Sequence, residues 1–379
     1  MAVAPQTTNP SSSQTTAAQK PNQKILSFPN SSYRYTVPFS GSIPLSNLSI
    51  ATANTLNDIE VPPYGYLRSL RFLFTLSGGA GTAVTAAGDA PWNLINSITF
   101  FDASSDPIVT VSGYQLYLIN KYGGFGFTDP KLLPSYSAIA AATGDASFAL
   151  NIPIEILSRM GLGALANMNS SATYKVNIIT NPASVVYGTV PTTLPVLTVT
   201  LIMKAWAKPP ATDLLGNQLT TAPPLSNTTQ YLTSQSISNL NGMEDMQIKR
   251  VGNYIRNLIF VSRNSSTQAR QDVLPTGAAL KMDNVPRTYL DSSTLKDDMS
   301  QLYRLYNAEE SAGGLDTGVF VLPYTNDLTN NAGDELRNLY LPTLSSSFLV
   351  VSGTWSNTTF ETIVNDVAPA GDMFTNQLL

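Results

Sequence analysis

YLRSLRF, residues Tyr66 to Phe72, recurs 188 residues later as YIRNLIF, Tyr254 to Phe260, with the Tyr, Arg, Leu and Phe kept and conservative partners between them. Two further landmarks repeat in the same order. Gln115-Leu116-Tyr117 returns as Gln301-Leu302-Tyr303, followed within a few residues by Asn120 or Asn307. Leu150-Asn151-Ile152-Pro153-Ile154 returns as Phe320-Val321-Leu322-Pro323-Tyr324. The offset shrinks from 188 to 186 to 170 residues along the chain, a shortening that falls in loops. One such match in a biased composition is chance; three in order point to two copies of one fold.

Outward from these landmarks the first copy reads as β-structure. In Ala90 to Gly126, APWNLINSITFFDASSDPIVTVSGYQLYLINKYGGFG, the apolar positions Ile98, Phe100 and Phe101 sit among β-branched and aromatic neighbours, which suit a pleated, half-buried surface. Asp102 to Pro107 supplies turn chemistry, Ile108, Val109 and Val111 resume the strand, and an aromatic helical run follows from Tyr114 to Tyr122 before Gly123 and Gly124. Strands are predicted at Tyr33–Phe39, Gly65–Leu76, Leu94–Phe101, Ile108–Ser112, Ser147–Ile152, Thr173–Thr180, Ser184–Tyr187 and Leu194–Trp206, and a helix at Ile154–Ala166, where Ile156, Leu157, Met160, Leu162 and Leu165 line one side despite Gly161 and Gly163. Eight short strands with loops of uneven length fit a sandwich or barrel rather than a parallel sheet with crossover helices.

AKPPATDLLGNQLTTAPP, Ala207 to Pro224, has proline pairs at both ends and no strand signal, which sets a linker over 208–225. Beyond it, strands are expected at Gln230–Ser236, Met246–Arg250, Asn253–Ser262, Thr317–Leu322, Leu336–Leu341, Ser346–Trp355 and Phe360–Val364. Leu295, Met299, Leu302, Leu305 and Tyr306 mark a helix over Thr294–Glu309, capped by Asp291 or Ser292. Residues 1–33, rich in Gln, Thr, Ser, Pro and Ala, read as a mobile arm. The first acidic residue of the chain is Asp58, so Lys20, Lys24 and Arg34 leave this end cationic, suited to tether an anionic surface, membrane or nucleic acid, or a neighbouring subunit, with a solvated tail as the plain alternative. The expected division is arm 1–33, first domain 34–207, linker 208–225 and second domain 226–379.

Composition excludes much chemistry. None of the 379 residues is Cys or His, which removes disulfides, thiolate sites and the commonest general base and zinc ligand. Only 12% are charged, about half the usual share, and a surface that repels its neighbours weakly favours assembly. The net charge of −4 supplies no basic field for nucleic acid. No run of eighteen apolar residues predicts a membrane-spanning helix, and the N-terminus lacks the basic-then-apolar order of a secretory signal.

The chain resembles the double jelly-roll major capsid protein of tailless icosahedral viruses with an internal membrane, the tectivirus-like lineage. Pro91-Trp92-Asn93-Leu94-Ile95-Asn96-Ser97-Ile98-Thr99-Phe100-Phe101-Asp102, running through Ser112-Gly113-Tyr114 into Tyr117, carries the resemblance. The run from Ile152-Pro153-Ile154 through Leu162 to Ala172-Thr173-Tyr174-Lys175-Val176 adds to it. It departs at the arm, where Pro5, Pro10 and Pro21 discourage the Gln- and Ala-rich helix with which members often begin. The resemblance implies an all-β fold of two tandem eight-stranded jelly rolls with short helices in loops. It also implies a homotrimer that tiles a virion shell as a hexagon would, with capsomer neighbours, penton and minor capsid proteins as partners and no sequence-specific nucleic acid.

Sharper chemical readings compete with this one. Asp316-Thr317-Gly318 has the local look of an aspartic protease loop, but such enzymes need two aspartates sharing a proton and no second copy of the triplet exists. Asp102 and Asp106 suit calcium, yet an Asp-rich turn is more simply a turn. Gly78-Gly79-Ala80-Gly81 and Gly123 to Gly126 lack the Lys-Ser/Thr of a phosphate loop. Asn-X-Ser/Thr triplets at Asn30, Asn47, Asn169, Asn227, Asn264 and Asn357 leave glycosylation open, and Trp92, Trp206 and Trp355 read as core rather than as a sugar platform. No catalytic, cofactor-binding or metal residue is expected. The rival from another class is a tandem β-sandwich binding module, a spike, fibre or adhesin for carbohydrate or receptor.

Overall fold

Alternation of buried and exposed side chains builds the first sandwich. In the computed structural model, which describes residues 27–41, 45–123, 129–157, 160–216, 218–224, 230–303, 316–325 and 339–368, its strands are β1 (Arg34–Phe39), β2 (Thr55–Glu60), β3 (Tyr66–Ser77), β4 (Ile95–Phe101), β5 (Pro107–Val111), β6 (Ala146–Pro153), β7 (Lys175–Thr180) and β8 (Val196–Trp206). One sheet runs β1-β8-β3-β6 and the other β2-β7-β4-β5. Leu70, Phe72 and Phe74 of β3, Leu201 and Met203 of β8 and Phe148, Leu150 and Ile152 of β6 face inward to meet Ile98, Phe100, Val176 and Ile178 of the opposite sheet, all buried. Trp92 is fully buried and stacks on Tyr117 with ring centroids 4.0 Å apart.

The second sandwich repeats this order with fewer, longer strands: β9 (Gln230–Ile248), β10 (Tyr254–Asn264), β11 (Thr276–Met282), β12 (Val285–Tyr289), β13 (Val319–Pro323) and β14 (Leu349–Val367). Both 19-residue strands serve two sheets. Gln230–Ile237 pairs with Phe360–Val367, and that end of β14 pairs in turn with β10 and β10 with β13. Leu240–Ile248 pairs with Leu349–Thr358, whose other neighbour is β11, itself paired with β12. Left-handed Asn239, Gly242 and Asn357 and register shifts about Leu240 turn the corner without a loop. The two halves therefore share one eight-position jelly-roll topology. The landmarks coincide in it, since Leu70 lies opposite Ile152 as Leu258 lies opposite Leu322.

Several sequence expectations are corrected. Among the described residues of Ile154–Ala166 no helix forms: Gly161 and Gly163 adopt φ of +68° and +76°, Leu157 bridges Leu162, and Leu165–Ala166 extends the edge of β3, so tertiary pairing overrides the apolar spacing. Residues 183–186 form one helical turn rather than a strand. Strands β2, β11 and β12 went unpredicted because Asn57, Asp58, Gly277 and Pro286 break the alternation. The helix expected over Thr294–Glu309 is observed as Ser292–Tyr303, its remainder lying outside the described residues, and Asp291 caps it by accepting from Thr294 N at 2.9 Å. Of the strand expected at Leu336–Leu341, residues 336–338 are outside the described residues and Leu341–Pro342 pairs with β10.

The helix between β5 and β6, α1 (Gly113–Tyr122), begins with a capping box in which Gln115 N donates to Ser112 Oγ (3.3 Å) and Ser112 N to Gln115 Oε1 (2.9 Å). Its counterpart between β12 and β13 is α2 (Ser292–Tyr303). A Cβ on Gly113 would lie 2.2 Å from Trp92 O and 2.7 Å from Ile95 Cβ, whereas one on Gly88 would meet nothing within 4 Å. Gly113→Ala is expected to lower stability in urea melts by about 1–3 kcal/mol, and Gly88→Ala to change it by less than about 0.5 kcal/mol.

Candidate functional site

All ten residues of α1 are buried. A helix apolar or enclosed on every side needs cover all round, and part of that cover comes from the other sandwich. The outward face of the β10-β13-β14 sheet presents Ile259, Val261, Val319, Val321 and Ile363, which join the same apolar cluster as Leu116, Tyr117 and Ile119. The junction of the two rolls is thus built by one helix from the first and one sheet face from the second. A parallel pairing of β5 with β9, Val109 with Leu232 and Thr110 with Thr233, continues the sheet across the seam.

Polar groups fix the register of this contact. The carbonyls at the end of α1, left open by helix geometry, are met from the second roll. Asn257 Nδ2 donates to Tyr122 O at 2.9 Å, Tyr303 Oη to the same oxygen at 3.0 Å, and the fully buried Arg256 guanidinium to Gly123 O. A cation at a helix C-terminus also opposes the macrodipole favourably. Lys121 Nζ lies 2.5 Å from Asp316 Oδ2 and 3.0 Å from Asp129 Oδ2, and Lys131 Nζ stands 3.9 Å from Asp129 Oδ2, so two cations face two carboxylates. Near the helix start, Arg263 pairs with Asp89 (2.7 Å) and Glu361 (2.5 Å), while Arg270 pairs with Asp89 (2.8 Å) and donates to Tyr114 Oη (3.2 Å). Burial drives the Tyr114 hydroxyl far above its usual range and keeps it protonated.

A second knot lies beside the start of β9. Gln230 Nε2 donates to the carbonyls of Pro153 (3.2 Å), Ile154 (3.0 Å) and Glu155 (3.2 Å), and its Oε1 accepts from Asn365 at 3.1 Å. Glu155 takes Arg68 at 3.0 Å and Trp206 Nε1 at 2.7 Å. Burial outweighs both partners and raises its carboxyl to about 7.

The structure places the sequence candidates as follows. Asp316, from the protease-like triplet, is fully buried and committed to Lys121. Asp102 accepts from Ser104 N and Asp106 N, each at 2.8 Å, and so shapes its own turn. Trp92, Trp206 and Trp355 are buried. Arg34 begins β1, exposed, with its guanidinium 5.2 Å from the Trp206 ring, whereas Lys20, Lys24, Asn227 and Gly124 to Gly126 lie outside the described residues. Among the described residues no group of three acidic side chains is placed to hold a metal ion. The junction residues Lys121, Arg263, Arg270, Asp89 and Glu361 went unremarked in the sequence. The available signal was a charge inside an apolar strand, as at Arg256.

No protein-family model matches the chain, and the comparison with curated proteins gives no match. Solved structures do match in fold. The STIV MCP is 14% identical, with a TM-score of 0.61 over 92% of this chain and 100% of that one. The PBCV-1 virus capsid model is 9% identical, with a TM-score of 0.55 over 89% and 93%. The major capsid protein P2 from bacteriophage PM2 is 10% identical, with a TM-score of 0.53 over 89% and 97%. At such identities the likeness is one of fold, and the chain is a double jelly roll.

Two outcomes test the seam. Lys121→Met, which strands Asp316 in the interior, should cost about 3–5 kcal/mol in denaturant melts, and Lys121→Met with Asp316→Leu should recover part of that loss. Glu155 binds its proton more tightly folded than unfolded, so its contribution is fully present below about pH 4.5 and is lost as pH rises through about 7. Melts of wild type against Glu155→Gln should therefore diverge by about 2.5 kcal/mol between pH 5 and pH 8, with the wild type the steeper.

Proposed function

We propose that this chain is the major capsid protein of an icosahedral virus, forming trimers of pseudo-hexagonal outline that tile the virion shell over an internal membrane. The observation that carries the reading is the duplication. Two rolls of one topology, locked by a buried helix into a single block, give three chains six near-equivalent corners. The shared fold with capsid proteins that span almost the whole chain supports it. So does the low charge content, which suits broad neutral contacts between copies.

The division into arm 1–33, first roll 34–207, linker 208–225 and second roll 226–379 belongs to the same proposal. Tyr66 Oη donates to Thr221 O at 3.0 Å and Gly163 N to Pro224 O at 3.0 Å, so the connection is tied along the first roll. The arm, with Lys20 and Lys24, would extend toward the membrane or another anionic surface from the exposed Arg34. The role is structural, without catalysis: the Asp316 carboxylate is fully buried and its Oδ2 is held by the Lys121 ammonium.

Light scattering on purified protein should give a particle of three times the 40.6 kDa chain mass, and electron microscopy of an expressing culture should show hexagonal capsomers or closed shells. A monodisperse monomer at assembly concentrations would overturn the proposal.

A further inference from the structure

The duplication makes a demand that one chain does not meet. Helix α1 lies beside its own strand β6, Asn120 Nδ2 donating to Asn151 O at 2.6 Å, and on the outward sheet face of the second roll. Helix α2 likewise lies beside its own strand β13, where Lys296 Nζ stands 5.3 Å from the Phe320 ring, and it buries Leu295 and Met299. Its other side, Ser293, Thr294, Asp297, Asp298 and Gln301, is exposed. The sheet face that corresponds to the cover of α1 is the outward face of β3, β6 and β8 in the first roll. There the positions matching Ile259, Val321 and Asn365 are Arg71, Asn151 and Lys204, with Leu73 and Ile202 half-buried between them.

This face is cationic and incomplete. Arg71, Asn120, Asn151, Leu133 and Lys204 line a cavity of about 200 Å³. Arg71 donates to Ser135 Oγ at 3.3 Å, and Lys204 has no ion pair among the described residues. Burial, with the positive charge of Arg71 and Arg68, depresses the Lys204 ammonium. The amide of Asn151 is 6% exposed, and neither its Oδ1 nor its Nδ2 finds a hydrogen-bond partner. An acidic partner is the chemistry that such a site lacks.

We infer that this face receives the acidic side of α2, Asp297 and Asp298, from a second copy of the chain, repeating between copies the contact that α1 makes within one. The occupant is set by charge, since the helix carries two exposed carboxylates where the sheet carries two cations. It is set also by topology, since the helix and the face are the two halves of a contact already formed once. The inference rests on the trimer reading and names its surface.

The test is a charge swap read by light scattering and sedimentation at about 0.1 M salt. Asp297→Lys with Asp298→Lys, exposed changes that leave the fold intact by circular dichroism, should raise the dissociation constant of the oligomer at least tenfold, as should Arg71→Glu with Lys204→Glu. The four changes together should restore association to within threefold of wild type. An oligomer indifferent to either reversal, or a quadruple variant no better than the worse pair, overturns the pairing while leaving the trimer standing. A wild-type monomer instead removes the trimer itself, and stabilisation of the monomer by inorganic phosphate that Arg71→Glu with Lys204→Glu abolishes would mark the face as a free-anion site.

Discussion

Helix α1 has no side that faces water. The first roll supplies its sequence and much of its cover, and the second roll completes it, so neither roll is complete alone. Separating them would expose Leu116, Tyr117 and Ile119 together with Ile259, Val261 and Ile363. It would also unpair the carbonyls at the helix end and the Lys121–Asp316 charge pair. Apolar burial of this kind is non-directional and would tolerate a slide. The polar seam does not, because a shifted register strands a buried charge at a cost of several kcal/mol.

That division of labour explains why the seam is ionic in a chain so poor in charge. Buried pairs add little net stability over a well-packed apolar contact, but they penalise every alternative arrangement. Arg256, Arg263 and Arg270 reach across from the second roll to Gly123, Asp89 and Tyr114 of the first, and Gln115 of the first donates to Glu361 of the second. The result is a rigid block in which two equivalent sandwiches hold one fixed orientation. The proposed shell tile would need that property, since an error in the angle between rolls would be multiplied around a ring.

The two rolls share a topology but not a chemistry on their outward faces. Where the second roll offers Ile259 and Val321 to α1, the first places Arg71 and Asn151, and Lys204 stands where the second roll has Asn365. The helices differ in the same sense, α1 enclosed and apolar, α2 with one acidic side in solvent. After duplication a fused pair and a separable pair face different constraints. A contact made once during folding is served by apolar area, while one between independently folded copies must be soluble before it forms, which favours charge complementarity.

The sequence by itself determined the repeat, and with it the class of fold. YLRSLRF and YIRNLIF fall on equivalent strands, the Gln-Leu-Tyr runs on equivalent helices, and the proline-ended strands opposite their partners. Period-two alternation located most strands, because a strand with one face in the core must alternate. Strands with an interrupted pattern escaped, as β2 did, where a register shift buries both Leu56 and Ile59, and the apolar spacing of Ile154–Ala166 misled, because spacing is blind to the left-handed φ of Gly161 and Gly163. Only the tertiary structure decided the seam. The partners Lys121 and Asp316 are 195 residues apart, and Asp89 and Arg263 174. A charge in a linear sequence shows its sign but not the opposite charge that folding brings beside it.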